Sequence, residues 1–145
     1  MANLLYDAGR EGFLAGETDW DTAVIKVSLV RGYTFGTAHK FVSDTTAAGA
    51  NGVYVATTAA LTAKTVAAGV ADAAVTTFGM VASGAAINHI IIYQSSAVTG
   101  GADVAATAQR LIAVIDTGTN LPVTPNGGEI TLAWANVAGT LIFKL

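Results

Sequence analysis

The sequence predicts a mainly β protein, with about eight short strands behind a single N-terminal helix, folded as an antiparallel sandwich or barrel. Three observations carry this. After Gly16 the apolar residues recur with a period of two. Strand-like runs are separated by turn residues at close to the spacing of about 8–12 residues seen in sandwiches and barrels. Strand–helix–strand alternation is missing, which argues against a parallel nucleotide-binding sheet.

The helix is predicted over residues 4–15. Leu5, Ala8, Gly12 and Phe13 share one face at helical spacing. Asn3 can cap the start, Asp7 suits the positive end of the helix dipole, and Gly16 can take the left-handed position that ends it. Gly9 and Gly12 each weaken the helix by about 1 kcal/mol, so it needs tertiary packing to persist.

The first strand is expected over residues 24–29. Ile25, Val27 and Leu29 face one way and Lys26 and Ser28 the other, which describes a half-buried strand. Tyr33-Thr34-Phe35 is expected to extend the sheet after a turn at Arg31-Gly32. His39 to Val42 is a further strand candidate, followed by a turn at Ser43-Asp44. Residues 45–75 are rich in Ala, Thr and Gly, with poor periodicity. Strands are placed at Val53–Thr57 and Leu61–Val66. The spacing of Val66, Val70 and Ala74 also fits a helix, but the β-branched residues and recurring glycines favour strands and loops.

The second half is clearer. Val75 to Val81 alternates loosely, His89 to Gln94 is a buried strand, and Val98 to Asp103 is a loop. Arg110 to Asp116 is a strand, ending in a turn at residues 116–120. Pro122 and Pro125 exclude a central strand between them. Pro125-Asn126-Gly127-Gly128 is a turn, because Pro fixes φ and Asn and Gly accept positive φ. Ile130, Leu132 and Trp134 then face inward, and residues 141–145 form the last strand. No fixed-period repeat and no linker composition divides the chain, so residues 1–145 read as one domain.

Composition narrows the function classes. Of the 145 residues, 12% are charged and 52% hydrophobic, and the net charge is −3. The charged share is half the usual value of about 25%. Seven scattered Lys and Arg make no basic patch, so a nucleic-acid partner is not expected. Such thin polar cover suits a surface buried against copies or partners. The absence of Cys excludes disulfides, thiolate zinc sites and cysteine nucleophiles. The start lacks a basic segment followed by an apolar one, so no signal peptide is expected. Residues 73–102 lack Asp, Glu, Lys and Arg, but Asn88, His89 and Gln94 interrupt them. The apolar run Ile90-Ile91-Ile92-Tyr93 is too short to cross a bilayer, so no membrane partner is expected.

Residues with chemical potential are few. His39 and His89 stand 50 positions apart. As ligands or bases they would need Asp44 or Asp103 beside them. His89 abuts the isoleucine run and reads as a core or strand-end residue. Glu17, Asp19 and Asp21 alternate, but the remaining ligands of a calcium loop are missing, and a solvated loop is the better reading. Gly100-Gly101 and Gly127-Gly128 read as turns rather than phosphate cradles. Trp134 is in phase with Ile130 and Leu132 and reads as core. Trp20, in the acidic loop, is the candidate exposed aromatic: it could stack a sugar, though a packing or subunit-interface role is favoured. The G-x-S-x-G, P-loop and H-E-x-x-H motifs do not occur. No catalytic, cofactor-binding or metal residue is assigned, and no enzymatic activity or cofactor is expected.

Two stretches are distinctive: residues 1–35 with His39 to Asp44, and residues 110–145. They contain Phe13-Leu14-Ala15-Gly16 at the helix end, Ile25-Lys26-Val27 in the first strand, Leu121 to Gly128, and Ile142-Phe143-Lys144-Leu145. In these features the chain resembles the capsid decoration (cement) proteins and related small virion structural proteins of tailed bacteriophages. The likeness covers about half the chain and leaves out the Ala- and Thr-rich middle. It implies a jelly-roll-like β-sandwich, a homotrimer, no catalysis, and the major capsid protein as partner. It also implies a place on the outer capsid surface after assembly in the bacterial host cytoplasm. The alternatives are another virion component of the tail, baseplate or fibre, and a small carbohydrate-binding β-sandwich that uses Trp20.

Overall fold

The run His-Ile-Ile-Ile-Tyr-Gln has no polar side to offer water, and the fold buries both of its sides. In the computed structural model, which describes residues 3–134 and 142–145, this run is the central strand of a five-stranded sheet. The strands in chain order are β1 (Leu4–Leu5), β2 (Ile25–Arg31), β3 (Val53–Thr57), β4 (Thr65–Ala67), β5 (Val70–Asp72), β6 (Thr76–Met80), β7 (His89–Gln94), β8 (Ser96–Ala97), β9 (Gly100–Asp103), β10 (Arg110–Ile115), β11 (Glu129–Leu132) and β12 (Phe143–Lys144). The helices are α1 (Asp7–Ala15) and α2 (Val42–Thr46). The molecule is therefore mainly β, and among the described residues every strand pair is antiparallel.

The large sheet runs β1-β10-β7-β2-β3, with Val27 opposite Ile92 and Val114 opposite Ile91. One face presents Ile25, Val27, Leu29, Ile90, Ile92 and Ile112. Two smaller sheets, β6–β11 and β4–β5–β12, contribute Ala71, Phe78 and Phe143 to the same core, along with Trp20 and Trp134 from flanking segments. The other face carries Val30, Ile91, Tyr93, Leu111 and Val114 beneath Tyr6, Tyr33, Val42 and Ala50. The expected half-buried strand over residues 24–29 is thus buried on both sides. Ser28 is fully buried and meets Thr57 Oγ1 at 2.7 Å, because the segment through Tyr33 and α2 roofs the second face.

Several expectations change for local reasons. Leu4 and Leu5 pair with Val114 and Ala113, so the helix starts at Asp7 rather than residue 4. Asn3 is then too early to cap it. Its Oδ1 accepts from the N–H groups of Asp116 and Thr117, and its Nδ2 donates to the Thr117 carbonyl. Gly16 ends the helix with φ 72°, as expected. Gly9 weakens the helix but admits it to the sheet, since a Cβ there would lie 2.7 Å from the Ile112 carbonyl oxygen. Tyr33-Thr34-Phe35 is not a strand. Tyr33 enters the core, and Thr34 donates its N–H to the Ala50 carbonyl at 2.8 Å.

The candidate strand at residues 39–42 reduces to a single bridge between Phe41 and Arg110. The turn at Ser43-Asp44 is instead α2, started by Asp44 Oδ2, which accepts from the N–H groups of Lys40 and Phe41. The helix alternative for residues 66–74 fails. Ala68 and Gly69 both take positive φ, which folds β4 onto β5 as a hairpin. The expected loop at 98–103 is also a hairpin, β8–β9. Of the last predicted strand, residues 143–144 are seen, and residue 141 lies outside the described residues. Among the described residues no helix is long and apolar enough to cross a membrane.

Candidate assembly surface

The two histidines, far apart in sequence, meet the same ring. Tyr33 lies 5.7 Å from His39 and 5.3 Å from His89 between ring centroids. Tyr6 donates its hydroxyl to Tyr33 Oη at 2.9 Å, and Tyr33 Oη lies 2.7 Å from His39 Nδ1. The Tyr33 oxygen accepts from Tyr6 and so is placed to pass its own proton to His39 Nδ1, a hydrogen bond that needs that nitrogen as acceptor. Burial, and after it the hydrogen bond donated to Tyr33, pushes the Tyr6 phenol far above its ordinary range. His39 and Asp44 line an open cleft of about 340 Å³ with Thr34, Phe35 and Ala47. Burial alone would raise the Asp44 pKa, but the N–H groups of Phe41 and Lys40, helped by His39, carry it below the usual carboxylate value. These groups latch the segment over the sheet. Asp103 goes elsewhere, to Lys26 at 2.5 Å.

The acidic run is dispersed. Glu17 pairs with the buried Arg110, which also donates to the Ala8 carbonyl. Asp19 Oδ1 accepts from the N–H groups of Asp21 and Thr22, which holds its pKa below the usual range. Trp20 is 4% exposed, donates its indole N–H to the Asp72 carbonyl, and meets Phe143 edge-on at 5.1 Å. Of the two readings of Trp20, the favoured packing role holds and the exposed aromatic does not, because the loop folds back so that Trp20 meets β5 and β12. Trp134 is buried as expected and donates to the Ala74 carbonyl.

Among the described residues, large apolar side chains stand exposed at several places, Val53, Val75 and Met80 among them, and one group of them lies around β12. Phe143 is half-buried between Trp20 and Phe13, and lies 5.8 Å from the Phe13 ring. Two clefts meet at Phe143. One contains Phe13, Val66 and Leu145, the other Leu4, Leu5 and Ile142. Val66 is 54% exposed and Leu145 59%, and Leu14, beside Phe13 on the helix, is 91% exposed. Sequence reasoning took residues 141–145 only as a strand and missed this surface. The signal available to it was Phe143 and Leu145, two large apolar residues on one side of a terminal strand flanking Lys144. Chemically, the arrangement offers contact area. No protein family, curated protein or solved structure matches the chain.

Proposed function

We propose that this chain is a structural protein of a tailed-phage virion: a capsid decoration protein on the outer face of the head, bridging major capsid subunits. One observation carries the reading beyond the terminal resemblance: Leu4, Val66 and Leu145 stand exposed around Phe143, on a chain with few charges to compensate them. Such a patch marks a protein–protein interface on a soluble domain. The antiparallel layers fit a jelly-roll-like sandwich, and association of copies as a trimer would repeat the patch on one particle. Many identical weak contacts then sum by effective concentration and hold a shell against internal pressure without chemistry. The burial of Trp20 removes the aromatic on which the carbohydrate-binding alternative relied.

The test mixes purified protein with bare heads of the parent phage. Saturable co-sedimentation and a raised temperature of head disruption are expected. Absence of binding to heads, with binding to isolated tails or baseplates, would overturn the decoration role in favour of another virion part.

A further inference from the structure

Asn-Gly occurs twice in the chain, at Asn51-Gly52 and Asn126-Gly127. The dipeptide is chemically labile, because a glycine lets its backbone nitrogen approach the carboxamide carbon of the preceding asparagine with no Cβ in the way. Both asparagines are exposed, yet their side chains fold in opposite directions. Asn126 Oδ1 reaches forward and accepts from the Gly128 N–H at 3.0 Å, which turns the carboxamide toward the peptide that holds Gly127 N. Asn51 Oδ1 reaches back and accepts from the Gly49 N–H at 3.3 Å, away from Gly52 N. The two glycine nitrogens differ as well. Gly52 is buried and donates to the Thr45 carbonyl at 2.8 Å, packed so closely that a Cβ would lie 2.6 Å from the Thr45 oxygen. Gly127 is exposed, with φ 92° and open space where a Cβ would stand. It donates to the Val81 carbonyl at 3.0 Å, just past the end of the two-stranded β6–β11 ladder. An exposed turn at a ladder end opens locally at much lower free energy than a buried peptide does.

We propose that Asn126 is a site of spontaneous deamidation in the folded protein, and that the fold protects Asn51. When the turn opens from Val81, hydroxide takes the Gly127 amide proton and the nitrogen attacks Asn126 Cγ. The N–Cγ bond forms and the Cγ–Nδ2 bond breaks. The leaving nitrogen takes a proton back from water and departs as ammonia, and a cyclic succinimide remains. The Gly128 N–H already points at Oδ1, the oxygen that carries the negative charge of the tetrahedral intermediate, and stabilises it there. Water then adds to one of the two imide carbonyls and opens the ring to aspartate or isoaspartate. Each event puts a carboxylate three residues ahead of Glu129 and makes the net charge one unit more negative than −3. Isoaspartate also inserts a carbon into the backbone just before β11, whose register sets Ile130 opposite Phe78. This chemistry stands apart from the assembly surface and needs no partner.

The experiment incubates the full chain at mildly alkaline pH, folded and in concentrated urea. Peptide mapping by mass spectrometry follows both sites, and ion-exchange chromatography follows the acidic species. In the folded protein, conversion at Asn126 should run about tenfold or more ahead of Asn51, because the two peptides open at different local free energies. In urea both are Asn-Gly pairs in an unfolded chain, and their rates should converge. Asn126→Gln should remove the first acidic species to appear. Folded protein in which Asn51 keeps pace with Asn126 or leads it would overturn the proposal. So would an Asn126 that stays intact when folded and converts only in urea, or an early acidic species that persists in Asn126→Gln.

Discussion

Two aromatic clusters sit on opposite sides of this molecule, and one is closed while the other is open. Above the sheet, Tyr6, Tyr33 and Tyr54 are tied down: Tyr6 to Tyr33, Tyr33 to His39, and Tyr54 to Thr45 at 2.9 Å. Around β12, Phe13 and Phe143 pack on the edge of the core through each other's rings and, for Phe143, that of Trp20, with no hydroxyl to tie them, and their neighbours Val66 and Leu145 face water. Hydroxyls in a low-dielectric interior must find partners, which fixes their geometry. Apolar side chains at a surface have no such requirement and wait for a partner surface. The closed cluster serves folding, and the open one is where binding is expected.

Breaking the closed cluster should have the largest effect. Tyr33→Ala removes a buried ring and the middle of the hydroxyl chain, and should lower unfolding free energy by about 3–5 kcal/mol in urea titrations, as for other large aromatic truncations. Gly9→Ala should destabilise by about 1–3 kcal/mol despite a better helix propensity, because the added methyl meets the Ile112 carbonyl. A stabilised variant would show that α1 does not need this close approach. Tyr6→Phe keeps the ring and removes one donor, for a loss of about 0.5–1.5 kcal/mol.

Acid tests the same cluster more gently. Burial places the His89 pKa below its ordinary 6.5, with Asp116 opposing. The unfolded chain therefore takes the proton first. The stability contributed by neutral His89 is complete above about pH 6.5 and is lost as the pH falls through the lowered folded value. His89→Gln should flatten that part of a stability–pH curve. A separate loss, in the carboxylate range below about pH 4, belongs to groups such as Asp44, whose pKa is also depressed.

The large sheet was largely legible in the sequence. Val53–Thr57 and His89–Gln94 appear as expected, and Arg110–Ile115 falls one residue short of its predicted end. Ile, Val and Leu runs have few alternatives to a sheet interior. Residues 60–75 and 96–103 were obscure because their Ala, Thr and Gly side chains carry little periodic signal. There the left-handed backbone at Ala68-Gly69 and Gly100-Gly101 decides the hairpins. Roofing of the second face was not legible either. It depends on Tyr33, His39 and Asp44 converging from an irregular segment, and period-two alternation carries no information about what covers a sheet. The exposed surface escaped for a related reason: whether Phe143 and Leu145 point into a core or stop at its edge is decided by tertiary packing.

The most direct test uses Val66→Asp combined with Leu145→Asp, two changes at exposed positions. Stability should stay within about 0.5 kcal/mol per site, as for ordinary surface substitutions. The measurement is co-sedimentation of this variant and of wild type with bare phage heads over a concentration series. Wild type should coat the heads to saturation while the variant, equally folded, stays in the supernatant. A variant that coats the heads as fully as wild type would contradict contact through the Phe143 surface.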